Sequence, residues 1–240
     1  MPVEIEILDD PARACAAMLV GVAAGGGNIV LTGGSTPRAA YGELVEAVRT
    51  VGIDVTQCTL WFSDERCVPP DDGRSNFGMV RAALLEPLGG LPLPTVHRMK
   101  GELGPAEAAD EYERALRAAG PPRFDLVLLG IGPDGHLASL FPDQESLDER
   151  SRLVVGVEQS GLEPYVPRVT LTFPALWSAR LIVFLATGES KAEAVAAAFG
   201  PDARPDPHVP SSLLAAQAKD IKVLLDRGAG KLVASAAGRA

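Results

Sequence analysis

The segment with the most chemical content is Asp134-Gly135-His136, an imidazole two residues from a carboxylate. Unperturbed imidazole titrates near pH 6.5, so it can take up and return a proton at neutral pH, and a nearby acid can orient it. The tripeptide sits in Gly130-Ile131-Gly132-Pro133-Asp134-Gly135-His136-Leu137-Ala138-Ser139-Leu140-Phe141-Pro142, directly after the apolar run Phe124–Leu129. Gly130, Gly132 and Gly135 spell GxGxxG, but the spacing is a poor dinucleotide fingerprint. Asp134 would set a carboxylate against a pyrophosphate, and Pro133 removes an N–H donor from the turn. A glycine-rich turn that presents Asp134 and His136 is the better interpretation. The two remaining histidines, His97 and His208, lie beside loop residues.

Other segments suit an anion. In Thr32-Gly33-Gly34-Ser35-Thr36-Pro37-Arg38 the glycines permit close backbone approach, Thr36 is a good N-cap and Pro37 fits the first helical position. The free N–H groups of such a helix start, with two hydroxyls and Arg38 nearby, can hold a negative group. An ordinary strand-to-helix turn uses the same residue types. Ser63-Asp64-Glu65-Arg66-Cys67-Val68-Pro69 sets three consecutive charges after Leu60-Trp61-Phe62, which is not core composition; a solvated loop is the plain alternative. In Thr187-Gly188-Glu189-Ser190-Lys191, Lys191 is expected in the first turn of a helix, where the dipole disfavours a cation unless an anion offsets it. Arg168, at the entrance to Val169–Thr172, is a further cation whose facing the pattern does not set. Together these describe a small anionic substrate, a phosphate ester, gripped by charge-assisted hydrogen bonds beside acid/base machinery. The sequence has no GxSxG, HExxH or GKS/T segment, which argues against an elbow-type serine hydrolase, a zincin and a P-loop NTPase.

The elements that must position these groups are strand-length apolar runs separated by helical patterns. The runs are Ile29–Leu31, Thr59–Phe62, Phe124–Leu129, Val169–Thr172, Leu181–Leu185 and Ile221–Leu225. Continuous rather than alternating apolarity suits strands covered on both faces. Helices are expected over Asp9–Val22 (Asp10 capping, Pro11 in the first turn), Pro37–Arg49, Ser75–Leu85, Pro105–Ala119 and Ser190–Phe199. This order predicts an α/β fold with a mostly parallel sheet, whose ligands bind beyond the carboxyl ends of the strands. The stretch 200–210, with Pro201, Pro205, Pro207 and Pro210, reads as a surface loop.

The length of 240 residues suits one domain spanning 1–240. Hydrophobic residues at 47% and charged ones at 22% argue against global disorder, and a net charge of −9 weighs against a nucleic-acid binder. Cys15, Cys58 and Cys67 form no CxxC or Cys/His metal pattern, so reduced thiols in a cytoplasmic compartment are expected. Met1–Glu6 is acidic and alternating, unlike a signal peptide, and no apolar run approaches the ~18 residues of a membrane span. Trp61, Cys67 and the 200–210 loop are assigned no function, with packing as the default.

Four blocks, TGGSTP (32–37), WFSDERCVP (61–69), GIGPDGHLASLFP (130–142) and PRVTLTFPAL (167–176), closely resemble the 6-phosphogluconolactonase family. They fall in the family's order, and the likeness extends over residues 28–230. The resemblance implies a Rossmann-like three-layer αβα fold shared with glucosamine-6-phosphate deaminase and ribose-5-phosphate isomerase. It implies hydrolysis of 6-phosphoglucono-δ-lactone to 6-phosphogluconate in the oxidative pentose phosphate route. No metal or organic cofactor is expected. The expected partner is the small sugar-phosphate lactone, with neither nucleic acid nor membrane, and the chain is expected as a monomer or weak homodimer. The related deaminase branch resembles a pattern with Asp-Glu-Tyr where this chain has Asp64-Glu65-Arg66, and with Asn-Glu-Pro where it has Ser139-Leu140-Phe141-Pro142. A non-catalytic sugar-phosphate sensor would keep the phosphate cradle without needing the histidine. By this resemblance His136 is the base, Asp64 or Asp134 orients it, and Arg66 or turn N–H groups meet the oxyanion. Gly34, Ser35, Thr36, Arg168 and Lys191 bind phosphate, with Arg38 in reserve.

Overall fold

The computed structural model describes residues 3–120 and 123–237; Met1 and Pro2 of the N-terminal segment lie outside them. The apolar runs form a sheet of seven strands. In chain order these are β1 (Val3–Ile7), β2 (Asn28–Leu31), β3 (Thr59–Phe62), then, after a short β4 (Asp64–Arg66) that belongs elsewhere, β5 (Thr95–Val96) and β6 (Leu126–Leu129). After β7 (Val154–Val157) and β8 (Arg168–Leu171), which also lie outside this sheet, come β9 (Leu181–Ala186) and β10 (Ile221–Leu225). Their spatial order is β1-β10-β9-β6-β2-β3-β5, and every neighbouring pair is parallel. All four residues of β6 are buried, as continuous apolarity predicts for a strand covered on both faces.

Helices α1 (Pro11–Ala24), α2 (Ser35–Val51), α3 (Asn76–Val80) and α4 (Pro105–Ala118) alternate with the first strands. The short α5 (Phe173–Leu176), then α6 (Ala192–Phe199), α7 (Pro210–Ala215) and α8 (Lys231–Ala237) accompany the later ones. Asp10 caps α1 as expected, accepting from Arg13 N–H at 2.9 Å with Pro11 in the first turn. The chain leaves β2 toward β3 on one side and later returns to place β6 on the other. That reversal makes the carboxyl ends of β2 and β6 a switch point, where open α/β sheets take ligands. Buried tyrosines fix two of these strand ends. Tyr41 of α2 donates its hydroxyl to Thr32 O at 2.8 Å and accepts from Thr32 N–H at 3.0 Å. Tyr112 of α4 accepts from Phe62 N–H at 2.7 Å.

Three expectations and one alternative need correction. Val169–Leu171 does not join the main sheet: β8 lies between β4 and β7 in a separate antiparallel sheet. All four β8 residues are buried, so its hydropathy is that of a central parallel strand and cannot tell the two sheets apart. Ser63–Pro69 is not a solvated loop: β4 runs through it, and Asp64 and Glu65 are buried. Helix α2 begins two residues early, with Gly34 at φ 110° as its N-cap, so Thr36 lies inside the first turn. Lys191 is the N-cap of α6 and closes a 3₁₀ turn, Glu189–Lys191, rather than sitting within the α-helix.

Candidate active site

The histidine turn follows β6. Gly132 N–H donates to His136 O at 2.9 Å and Gly135 N–H to Gly132 O at 3.0 Å, while Gly135 adopts φ 80°, which favours glycine. Gly132 has no room for a side chain, because a Cβ there would overlap the His136 ring and Asp134 Oδ1. Asp134 Oδ1 lies 2.6 Å from His136 Nδ1 and accepts from the His136 backbone N–H at 3.2 Å. Partial burial pulls the Asp134 carboxyl upward. The hydrogen bond and charge of His136 outweigh this and hold it below the usual carboxylate value. An ionised acceptor on Nδ1 fixes the proton there and leaves Nε2 its lone pair. The imidazole packs against Phe141 at 4.8 Å between ring centres and keeps 18% of its side chain exposed, so it opens to solvent rather than into the core.

Asp64 is held by other groups. Its Oδ2 accepts from Ser139 Oγ at 2.7 Å, and its Oδ1 accepts from Asn76 Nδ2 at 3.0 Å and Ser63 Oγ at 3.3 Å. Of the two acids the sequence left open, only Asp134 bonds the imidazole. Asp64 anchors the far end of the same turn, three residues past His136. Glu65, which the sequence did not single out, caps α3. Its Oε1 accepts from Asn76 N–H at 2.7 Å, and its Oε2 accepts from Phe77 N–H at 2.7 Å and Ser75 Oγ at 3.0 Å. Burial pushes the Glu65 carboxyl above its ordinary value despite these donors. Ser139, Asn76 and Glu65 are ordinary polar residues in sequence, and nothing local marks them.

Arg66 and Arg168 are register partners across β4 and β8. Arg66 donates Nη1 to Arg74 O at 2.7 Å, and its buried Nε has no partner. Arg168 is buried, and its Nε and Nη2 are engaged by the chain that precedes it. Its Nε donates to Val166 O at 3.1 Å, and its Nη2 donates to Pro164 O at 2.8 Å, Ser160 Oγ at 3.0 Å and Leu162 O at 3.3 Å. It therefore organises the 160–166 loop. Burial, then the like charge of Arg66, pushes Arg168 down to about 10. A cavity of about 550 Å³ opens beside Arg66 and Arg74, bounded by Glu163 and Tyr165.

The remaining predicted residues stand at the start of α2 and in the segment after β9. Gly34 and Ser35 are exposed at the start of α2, which no side chain caps, and Arg38 is exposed one turn further on. Thr36 Oγ1 lies 2.8 Å from Thr187 Oγ1, tying the loop after β2 to the loop after β9. That second loop carries Lys191. Burial lowers the Lys191 ammonium, and the charge of Asp134 opposes the shift, so the cation shares the electrostatic neighbourhood of the Asp134–His136 pair. His97 stacks on Trp61 at 4.1 Å and 9°, a packing role, and the exposed His208 pairs with Asp143 at 2.9 Å. Among the described residues no group of three or more His, Cys, Asp or Glu is placed to hold a metal ion, and no helix is long and apolar enough to cross a membrane.

Residues 7–223 match the family described as glucosamine-6-phosphate isomerases/6-phosphogluconolactonase. The chain belongs to this family. It is 40% identical to the 6-phosphogluconolactonase of Homo sapiens over 208 residues, covering 85% of this chain and 79% of that one. Identity to the Mycobacterium leprae 6-phosphogluconolactonase is 42% over 182 residues, with 72% of each chain covered. The solved 6-phosphogluconolactonase of Trypanosoma brucei superposes with a TM-score of 0.79 at 27% identity, over 97% of this chain and 99% of that one. A monomeric glucosamine-6-phosphate deaminase shares the fold, with a TM-score of 0.81 at 22% identity over 97% of this chain and 100% of that one.

Proposed function

We propose that this chain, acting as one α/β domain over 1–240, hydrolyses 6-phospho-D-glucono-1,5-lactone to 6-phospho-D-gluconate in the oxidative pentose phosphate route. The relatives described above carry the name of this activity. The observation that carries the mechanism is the Asp134–His136 pair at 2.6 Å. With Nδ1 protonated against an ionised acid, Nε2 is the base. It takes a proton from a water whose oxygen attacks C1 of the lactone. The tetrahedral oxyanion is met by turn N–H groups or by Arg66. Collapse of the intermediate breaks the bond from C1 to the ring oxygen, which receives the proton from imidazolium His136. Asp134 supports the imidazolium while it is charged. A lactone is already reactive, so one base worth ~10²–10⁴-fold together with positioning is sufficient.

The C6 phosphate docks on Gly34, Ser35, Thr36 and the first amides of α2, with Lys191 as counter-charge. Arg168 contributes from behind, through its loop and its charge beside Arg66. Binding energy at this remote group orients the carbonyl at His136. The substrate is a free small molecule of the cytoplasm, and the chain acts on it as a monomer or weak homodimer. A coupled assay with freshly made lactone beside glucosamine 6-phosphate tests the proposal. Lactone consumed above the spontaneous rate without ammonia from the amino sugar supports it; the reverse pattern overturns it.

A further inference from the structure

After β10 the chain turns through Asp226, a carboxylate with no part in the chemistry above. Gly188 N–H donates to its Oδ1 at 3.0 Å and its Oδ2 at 2.9 Å, and Ala229 N–H donates to Oδ1 at 2.7 Å. Gly188 has φ 91° and opens the 3₁₀ turn that ends at Lys191. Gly228 packs onto the same turn: a Cβ there would stand 3.0 Å from Glu189 N and 3.3 Å from the Gly188 carbonyl carbon. On the opposite side, the Thr36–Thr187 hydroxyl contact at 2.8 Å ties the turn to the loop after β2. The turn is thus fixed from two neighbouring loops. Lysine carries its charge on a flexible four-carbon stem, so a fixed backbone is what keeps a half-buried ammonium aimed.

We propose that Asp226 is a positioning residue for Lys191: by clasping the Gly188 amide it holds the turn that presents the ammonium to the substrate phosphate. This rests on the assignment of Lys191 to that phosphate. Loss of Asp226 then weakens binding and leaves the chemical step intact, because His136 stands on a different loop.

The test is steady-state kinetics on fresh lactone with Asp226→Ala, Asp226→Asn, Lys191→Ala and the Asp226→Ala/Lys191→Ala double variant, each checked for folding by circular dichroism. Asp226→Ala is expected to raise KM about tenfold with kcat nearly unchanged. Asp226→Asn keeps one acceptor oxygen and recovers most of the loss. In the Lys191→Ala background, Asp226→Ala adds nothing further to KM. A raised KM in Lys191→Ala beside an unchanged KM in Asp226→Ala overturns the proposal alone. Equal KM increases from Asp226→Ala in both backgrounds do the same. An unchanged KM in Lys191→Ala removes the phosphate assignment and the proposal with it. Should Asp226→Ala fail to fold, Asp226→Ser, whose shorter side chain can keep the local bond to Ala229 N–H but not the clasp on Gly188, carries the same comparisons.

Discussion

The two ends of the main sheet differ in a way that size does not capture. At the amino end, a groove of about 1170 Å³ runs past Gly25–Gly27, Asp125, Arg180 and Lys219–Lys222. Most of its charges are matched: Arg180 meets Asp125 at 3.5 Å, and Lys222 meets Glu6 at 2.7 Å and Glu4 at 3.2 Å. Its glycine amides are satisfied within the chain, Gly26 by Ala23 O and Gly27 by Val22 O, each at 3.0 Å. At the carboxyl end the opening beside Arg66 is about half as large, 550 Å³. There like charges abut in Arg66 and Arg168, and Lys191 makes no ion pair among the described residues. Unbalanced charge and glycine-dependent turns, not volume, distinguish the end proposed to do chemistry.

The contrast is broken most directly at His136. His136→Ala should lower kcat by ~10²–10⁴-fold with the fold intact, and near-normal turnover would remove the base from the carboxyl end. Asp134→Asn keeps an oxygen for Nδ1 but loses the charge that supports imidazolium; a fall in kcat on the order of 10² is expected from initial rates. Lys191→Ala should raise KM roughly 10- to 100-fold with kcat largely kept, as loss of a charged hydrogen bond requires.

A smaller effect comes from acid. The Asp134 carboxyl binds its proton less readily in the folded than in the unfolded chain. The stability it contributes is therefore in place above about pH 3.9 and is lost as pH falls through the lower folded value. The urea-midpoint gap between wild type and Asp134→Asn should narrow as pH falls below about 3.9; a gap that does not change with pH contradicts the assignment. At the amino end, Arg180→Ala and Lys219→Ala should leave kcat/KM within about twofold and stability within ~0.5 kcal/mol. A large kinetic loss there would erase the distinction between the two ends.

Much of this was legible in the residues. The runs at Ile29, Thr59, Leu126, Leu181 and Ile221 are legible as strands because burial on both faces leaves few polar positions to disguise them. The Asp134–His136 pair is legible because its partners are two residues apart. What escaped is what depends on distant segments. β4 is three charged residues, and only burial of Asp64 and Glu65 by chain far away in sequence makes it a strand. Arg168 reads as a free cation until the carbonyls of its own preceding loop are seen around it. Ser139 and Asp226 act through bonds spanning 75 and 38 residues, a range at which no local pattern carries information.

The bond from Ser139 to Asp64 ties the turn that carries His136 to a separate piece of structure. The imidazole's own turn belongs to the central sheet, yet its far anchor sits on the little antiparallel one. A chain that had assembled the first without the second would hold that turn at one end only.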